Sequence, residues 1–240
     1  MIKTLRRLGF FSAGIALVTL GVTVWGIIPR LAKAQVSGGP QFWITWQAAS
    51  SSVPVNYIGK ALPSYNTKIT AELALIANGL PVDLSGQTIY WYLNNTLIGG
   101  GVGVDTITFR PFGLPPNSLS LEAELPSYNG QYLAHSIEIP YVDPVVVIGA
   151  PYPNNTFSAN PVGLIALPYF FSSAPSTLVY TWSVNGQTGT GAENPQVAQV
   201  TLPQGTPAGT AITIGLTVTD SANSVSASTQ STLTYAGQLQ

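Results

Sequence analysis

His135 is the one histidine in the chain, and it sits where Leu133, Ile137 and Ile139 share its strand parity. Base or metal chemistry needs partners that converge on the imidazole. The sequence supplies none nearby, so His135 reads as a structural residue on the core side of a strand, close to its end. Glu122 and Glu124 alternate with Leu121, Ala123 and Leu125. That pattern makes them the solvated face of a strand rather than an acid/base pair, which would bring two carboxylates together from different elements. Asp83, Asp105, Asp143 and Asp220 stand singly near turns or strand ends, with no Asp-x-Asp spacing. Carboxylates in such loops can hold Ca2+, and Ca2+ is the one ion this chain could take. Asp220 reads first as a turn former whose side chain caps backbone amides. The run Gly99-Gly100-Gly101-Val102-Gly103 is not followed by the Lys-Ser/Thr of a phosphate loop, and it reads as a flexible hairpin connection where strands bulge. Cysteine is absent, which removes thiol catalysis, thiolate-bound metals and a lipoprotein anchor. The expectation is no catalytic residue, no resident cofactor and no enzyme.

The aromatic residues are the stronger pointers. Tyr90 and Tyr92 face opposite to Trp91, while Tyr169-Phe170-Phe171, Tyr152 and Phe157 gather in the later half. Tyrosines exposed on a sheet, with Tyr90, Tyr92 and Tyr169 the candidates, suit binding of sugars or other proteins because they offer area at small entropic cost. Ordinary packing, including packing between two domains, is the competing reading. Asn94-Asn95-Thr96 and Asn154-Asn155-Thr156 match the N-glycosylation pattern, but Asn is favoured in turns on other grounds.

Strands must position these groups. Ile89, Trp91 and Leu93 alternate with polar or tyrosine residues, as do Leu119 to Leu125, Leu178 to Val184, and Ile212, Ile214, Leu216 and Val218. The stretch 68–79 alternates too and reads mainly as strand. Turn signals at 115–117, 128–130, 153–155 and 184–186 separate the runs, so the fold class is all-β, built of short strands in sandwiches. The chain also repeats itself. Residues 88–100 parallel 178–190, with a Tyr-rich strand, one Trp, then Asn and a turn. Trp91 and Trp182 are the expected core tryptophans, and their spacing fits two tandem sandwiches of about 100 residues. The boundaries fall at 35–142 and 143–240, joined by the short, stiff segment 140–144 with its two prolines.

Charge sets the context. Charged residues make up 7% of the chain, against roughly 25% in ordinary soluble proteins. Five of the eight cations lie in the first 33 residues, and only Lys60, Lys68 and Arg110 follow; all nine acids lie beyond residue 35, leaving that region at −6 with His135 neutral. Three cations cannot neutralise a phosphate backbone, which excludes nucleic-acid binding. The first 34 residues read as an export signal: Lys3, Arg6 and Arg7, an uncharged run from 8 to 28, then Ala32-Lys33-Ala34 before Gln35. Cleavage after Ala34 would release the rest. Retention would leave residues 8–28 as a membrane anchor, being long enough to span. Both put the remainder outside the cell or at its surface.

Tyr180 to Gly186, with Leu216 to Ser224 downstream, resembles a PKD-type immunoglobulin-like domain: a strand Trp before a turn, and a closing Thr-Val-Thr-Asp strand running into an Asn turn. The family's Asp-Gly pair at the first turn is absent. Trp91 to Asn95 and Leu119 to Gly130 resemble it more faintly. The resemblance implies an exported surface protein acting as spacer, adhesive module or filament subunit, without catalytic residues. The expected function is therefore non-enzymatic, structural or adhesive, with other surface proteins or further copies as partners. Assembly would run through sheet edges, since the later half lacks the lysines that normally block edge pairing. The alternative is a carbohydrate- or peptide-binding module of a larger surface apparatus.

Overall fold

The computed structural model describes residues 39–111, 118–189 and 195–237. The export segment, including Ala32, Ala34 and Gln35, lies outside the described residues. Regular structure among them is strand, with two short 3-10 turns at Pro153–Asn155 and Pro175–Thr177; no described helix is long and apolar enough to cross a membrane.

The strands are β1 (Gln41–Ala48), β2 (Ile69–Ala77), β3 (Leu80–Pro81), β4 (Thr88–Leu93), β5 (Thr96–Val102), β6 (Thr106–Phe109), β7 (Ser118–Tyr128) and β8 (Gln131–Pro140). There follow β9 (Val145–Gly149), β10 (Thr156–Phe157), β11 (Val162–Tyr169), β12 (Val179–Val184), β13 (Gln187–Thr188), β14 (Val197–Val200), β15 (Ala211–Asp220) and β16 (Val225–Tyr235). They form four sheets. β1, β2 and β3 lie in order, with β6 also on β2, and β5-β4-β7-β8 is the second sheet. β14-β11-β9 and β10-β16-β15-β12-β13 are the other two. Every pairing is antiparallel except the short contact of β10 with β16.

Alternation decides which faces meet. In β7, Leu119, Leu121, Ala123 and Leu125 are all buried, and in β15 Ile212, Ile214, Leu216 and Val218 are buried in the same way. β2 is a strand throughout, burying Ile69, Ala71, Leu73 and Leu75. Two separate apolar clusters result. One gathers residues of 69–139 around Trp91, the other residues of 146–235 around Phe171 and Trp182. The first lies between two four-stranded sheets and the second between a three-stranded and a five-stranded sheet, the two-layer arrangement of an immunoglobulin-like sandwich.

The sequence repeat has a structural counterpart atom by atom. The indole N–H of Trp91 donates to the Val104 carbonyl at 2.9 Å, and that of Trp182 donates to the Pro195 carbonyl at 3.0 Å; both acceptors lie 13 residues downstream. Three residues beyond each Trp an asparagine closes the hairpin in the left-handed region, Asn94 at φ 47° and Asn185 at φ 49°. Asn94 Oδ1 accepts from Ser120 N at 2.9 Å, and Asn185 Oδ1 accepts from Thr213 N at 2.8 Å. A short amide side chain tolerates positive φ and ties the turn to the neighbouring strand in one step.

Residues 37–240 form one compact unit, and the reason lies in the segment between β1 and β2. Ser52 N donates to Phe171 O at 2.8 Å, and Phe170 N donates to Ser52 O at 2.7 Å. Ser64, fully buried, gives its hydroxyl to the Phe170 carbonyl. Asn66 Nδ2 donates to Asn223 Oδ1 at 2.6 Å, while Asn223 Nδ2 reaches Ser173 Oγ at 3.1 Å and Asp220 Oδ2 at 2.7 Å. The two apolar clusters are thus latched by a loop, rather than held apart only by the stiff 140–144 joint. Asp220 differs from expectation here. It is 2% exposed and its carboxylate takes the Asn223 side-chain amide, not a backbone amide.

Candidate functional site

Tyr90 and Tyr92 point away from the core, as their parity opposite Trp91 requires. Register then decides their company. Tyr90 lies opposite Glu124 and Tyr92 opposite Glu122 on β7. Across the next ladder Glu124 faces Ala134, Glu122 faces Ser136 and Ser120 faces Glu138 on β8. The outer face of β4-β7-β8 therefore carries Tyr90, Tyr92, Tyr132, Glu122, Glu124 and Glu138 together. Tyr132 OH donates to Glu124 Oε1 at 2.6 Å. That hydrogen bond pushes the Tyr132 phenol up to about 12, with lost hydration and the nearby Glu122 charge adding to it. Tyr92 is raised in the same direction, by lost hydration first and then by Glu124. Glu122 and Glu124 are half-buried rather than fully solvated, whereas Glu138 is exposed.

A raised phenol pKa gives a pH prediction with a definite sign. Between about 10 and 12 the unfolded Tyr132 loses its proton while the folded one keeps it, so the folded state binds more protons and stability falls as pH rises through that window. In an absorbance titration at 295 nm one phenol should ionise late, near 12. Tyr132→Phe should remove that step and flatten the stability loss; an unchanged late step would assign it elsewhere.

Tyr169 does not join this face. It is half-buried, with its ring edge-on to Tyr57 at 5.8 Å, and it lines a cleft of about 550 Å3 with Val53, Val55, Ile58, Ile165 and Leu167. The parity of β11 points Ile165, Leu167 and Tyr169 outward; the 49–67 segment supplies the opposite wall. Phe171, adjacent in sequence, is 1% exposed and belongs to the core. The aromatic run at 169–171 is therefore divided between cleft, latch and core.

His135 is exposed, a correction to the core-side reading. Its parity is as expected, but β8 is the edge of its sheet, where the inward side of mid-strand opens to solvent; burial begins only at Ile139. Its ring lies 6.4 Å from that of Phe42. The glycine run is also not a connection. Gly99 to Gly101 lie within β5, paired to β4 with a register shift beside Trp91 and Tyr92. At Gly100, φ 152°, an added Cβ would stand 2.5 Å from the Ile89 carbonyl oxygen, so glycine allows β5 to close on β4. The turn itself is Asn94-Asn95, both with positive φ.

The equivalent outer face of the five-stranded sheet in the later half is chemically different. Register brings Thr181 beside Thr217, Thr217 beside Ser228, and Thr213 beside Thr232, a field of hydroxyls with neither aromatic nor charge. β16 closes this sheet. Only Thr234 and Tyr235 of its outer edge pair with β10, so from Val225 to Leu233 that edge has no strand partner among the described residues. Among the described residues no group of three or more His, Asp or Glu is placed to hold a metal.

No protein-family model matches the sequence, and no curated protein matches it. Among solved structures, the chain is similar to the fibronectin(III)-like modules of Clostridium thermocellum CbhA, at 13% identity over 78% of this chain and 94% of that one, with a TM-score of 0.29. Three N-terminal domains of the bacteriophage RB49 outer capsid protein Hoc match at 11% identity over 83% of this chain and 59% of that one, TM-score 0.39. Murine CEACAM1b matches at 12% identity over 81% of this chain and all of that one, TM-score 0.25. The described residues form an all-β fold of immunoglobulin-like sandwich architecture, as their own sheet topology shows.

Proposed function

We propose that this chain is a non-enzymatic exported or membrane-anchored cell-surface protein with a structural and adhesive role, assembling with its own kind through sheet edges. In this reading residues 35–142 and 143–240 are tandem domains, the second PKD-like, and the duplicated Trp and Asn geometry supports the division. The observation that carries the reading is the free edge of β16. From Val225 to Leu233 it contains Ser, Thr, Ala, Gln, Val and Leu and no charge, whereas edge strands of monomeric proteins are normally blunted by Lys, Pro or a bulge. Placing lysines at the exposed positions, Ser226→Lys with Gln230→Lys, should leave the chain folded and abolish its concentration-dependent association in sedimentation velocity. Wild-type chain that stays monomeric from micromolar to millimolar concentration would overturn the reading.

A second reading, binding of a carbohydrate or peptide, is favoured by Tyr90, Tyr92 and Tyr132 on one face. Aromatic rings and carboxylates together serve the apolar and hydroxyl-bearing faces of such ligands. A bound ligand would shield the Tyr132 phenol, so it should move the late ionisation step further. A glycan and peptide panel that leaves the step in place removes this reading.

A further inference from the structure

The three cations beyond residue 35 are not scattered. Ile69 pairs with Phe109 in the β2–β6 ladder, so the next residue outward on each strand, Lys68 and Arg110, ends neighbouring strands side by side. Both are exposed, and Arg110 is steadied by a hydrogen bond from Nη1 to the Asn66 carbonyl. Lys60, in the segment just before β2, holds its ammonium 3.5 Å from the centre of the Trp46 ring. The sheet β1-β2-β6 thus ends in a cationic corner. The opposite sheet of the same sandwich carries Glu122, Glu124 and Glu138 on its outer face, and among the described residues no lysine or arginine forms an ion pair with them. Two like charges held side by side on one corner, and three on one face, are each unfavourable in isolation.

We propose that the cationic corner Lys68/Arg110 of one copy docks on the Tyr90/Tyr92/Tyr132–Glu122/Glu124 face of a second copy. This rests on the self-assembly reading but uses a different surface from the β16 edge. The occupant is argued from charge. The face demands cations over aromatic rings, the geometry of cation–π and carboxylate contact, and the chain concentrates its few exported cations at one place. Corner and face are different surfaces, so the contact is head-to-tail and leaves a free corner and a free face at the ends of every assembly. Such a contact propagates rather than closing on a dimer unless the rotation happens to make a ring. Its strength is electrostatic, so it weakens with salt.

The test uses two charge-inverted chains, Glu122→Lys/Glu124→Lys and Lys68→Glu/Arg110→Glu, each checked for unchanged far-ultraviolet circular dichroism. In sedimentation velocity on the processed chain, or on the full chain in detergent where the apolar run is retained, each should associate at least about tenfold more weakly than wild type at 50 mM NaCl. Mixed in equal amounts they should associate again, since each inverted surface then meets its complement. Raising NaCl to 500 mM should weaken the wild-type contact and the mixed contact alike. Wild-type association that persists in both inverted chains overturns the docking while leaving edge assembly standing. Loss in both chains without recovery on mixing overturns it as well. A wild-type chain that is monomeric at low salt overturns both the docking and the self-assembly reading.

Discussion

Trp91→Ala is expected to cost about 3–5 kcal/mol of folding stability, the range for deleting a large aromatic side chain from a closed core. Trp91 has no solvent exposure and stands among Ile89, Leu93, Leu121 and Ala123 in the first apolar cluster. Its loss leaves a cavity that antiparallel strands on both sides cannot collapse to fill. It also strands the Val104 carbonyl, whose indole partner lies at 2.9 Å. Trp91→Phe separates the two contributions. It keeps most of the volume and removes the hydrogen bond, so it should cost roughly 1–3 kcal/mol. Chemical denaturation with intrinsic fluorescence, followed through the remaining tryptophans, measures both. A loss below 1 kcal/mol for the alanine variant would mean that the sandwich is held mainly by its edges.

Asn223→Ala is expected to be the most damaging change outside the two apolar clusters. One side chain there satisfies Asn66, Ser173 and Asp220. Its removal leaves the Asp220 carboxylate, 2% exposed, without the amide that solvates it. A buried polar group stripped of its partner costs about 1–3 kcal/mol, and a carboxylate stands at the upper end or beyond. The second consequence is mechanical. Asn66 and Asn223 lie 157 residues apart, so the variant loosens the latch as well as the turn. Limited proteolysis should cut the 49–67 segment faster in Asn223→Ala than in wild type. The double variant with Asn66→Ala should cost less than the sum of the single changes, because the two residues share one hydrogen bond. Additive costs would show that the latch carries no coupling.

The strands and their inward faces were legible because a period of two is a local property: Leu119 to Leu125 and Ile212 to Val218 declare their buried sides without reference to anything distant. The paired tryptophans and hairpin asparagines were legible for the same reason. Register was not. That Tyr132 stands with Tyr90 and Tyr92 follows only once Glu124 is known to face Ala134, and the parity of Tyr132, opposite to Leu133, could have nominated it. His135 shows the converse limit, since parity gives a side and edge position decides whether that side is covered. The segment 49–67 has no periodicity at all. Its order comes from backbone groups of residues 170–171 and the side chain of Asn223, partners that nothing in its own composition names.

That segment also sets a timetable. Ser52 finds its partner in Phe171, and the ribosome delivers the second more than a hundred residues after the first. At synthesis rates of about 5–20 residues per second, the delay is on the order of 6–24 s. During that interval β1 and β2 can already pair along their whole ladder, while the loop between them lacks its partners in residues 170–171. The earlier half of the molecule is therefore finished by the later half. A chain halted before residue 171 holds a nearly complete sandwich with an unfastened loop, the natural place for a protease or a chaperone to recognise that synthesis has not run to its end.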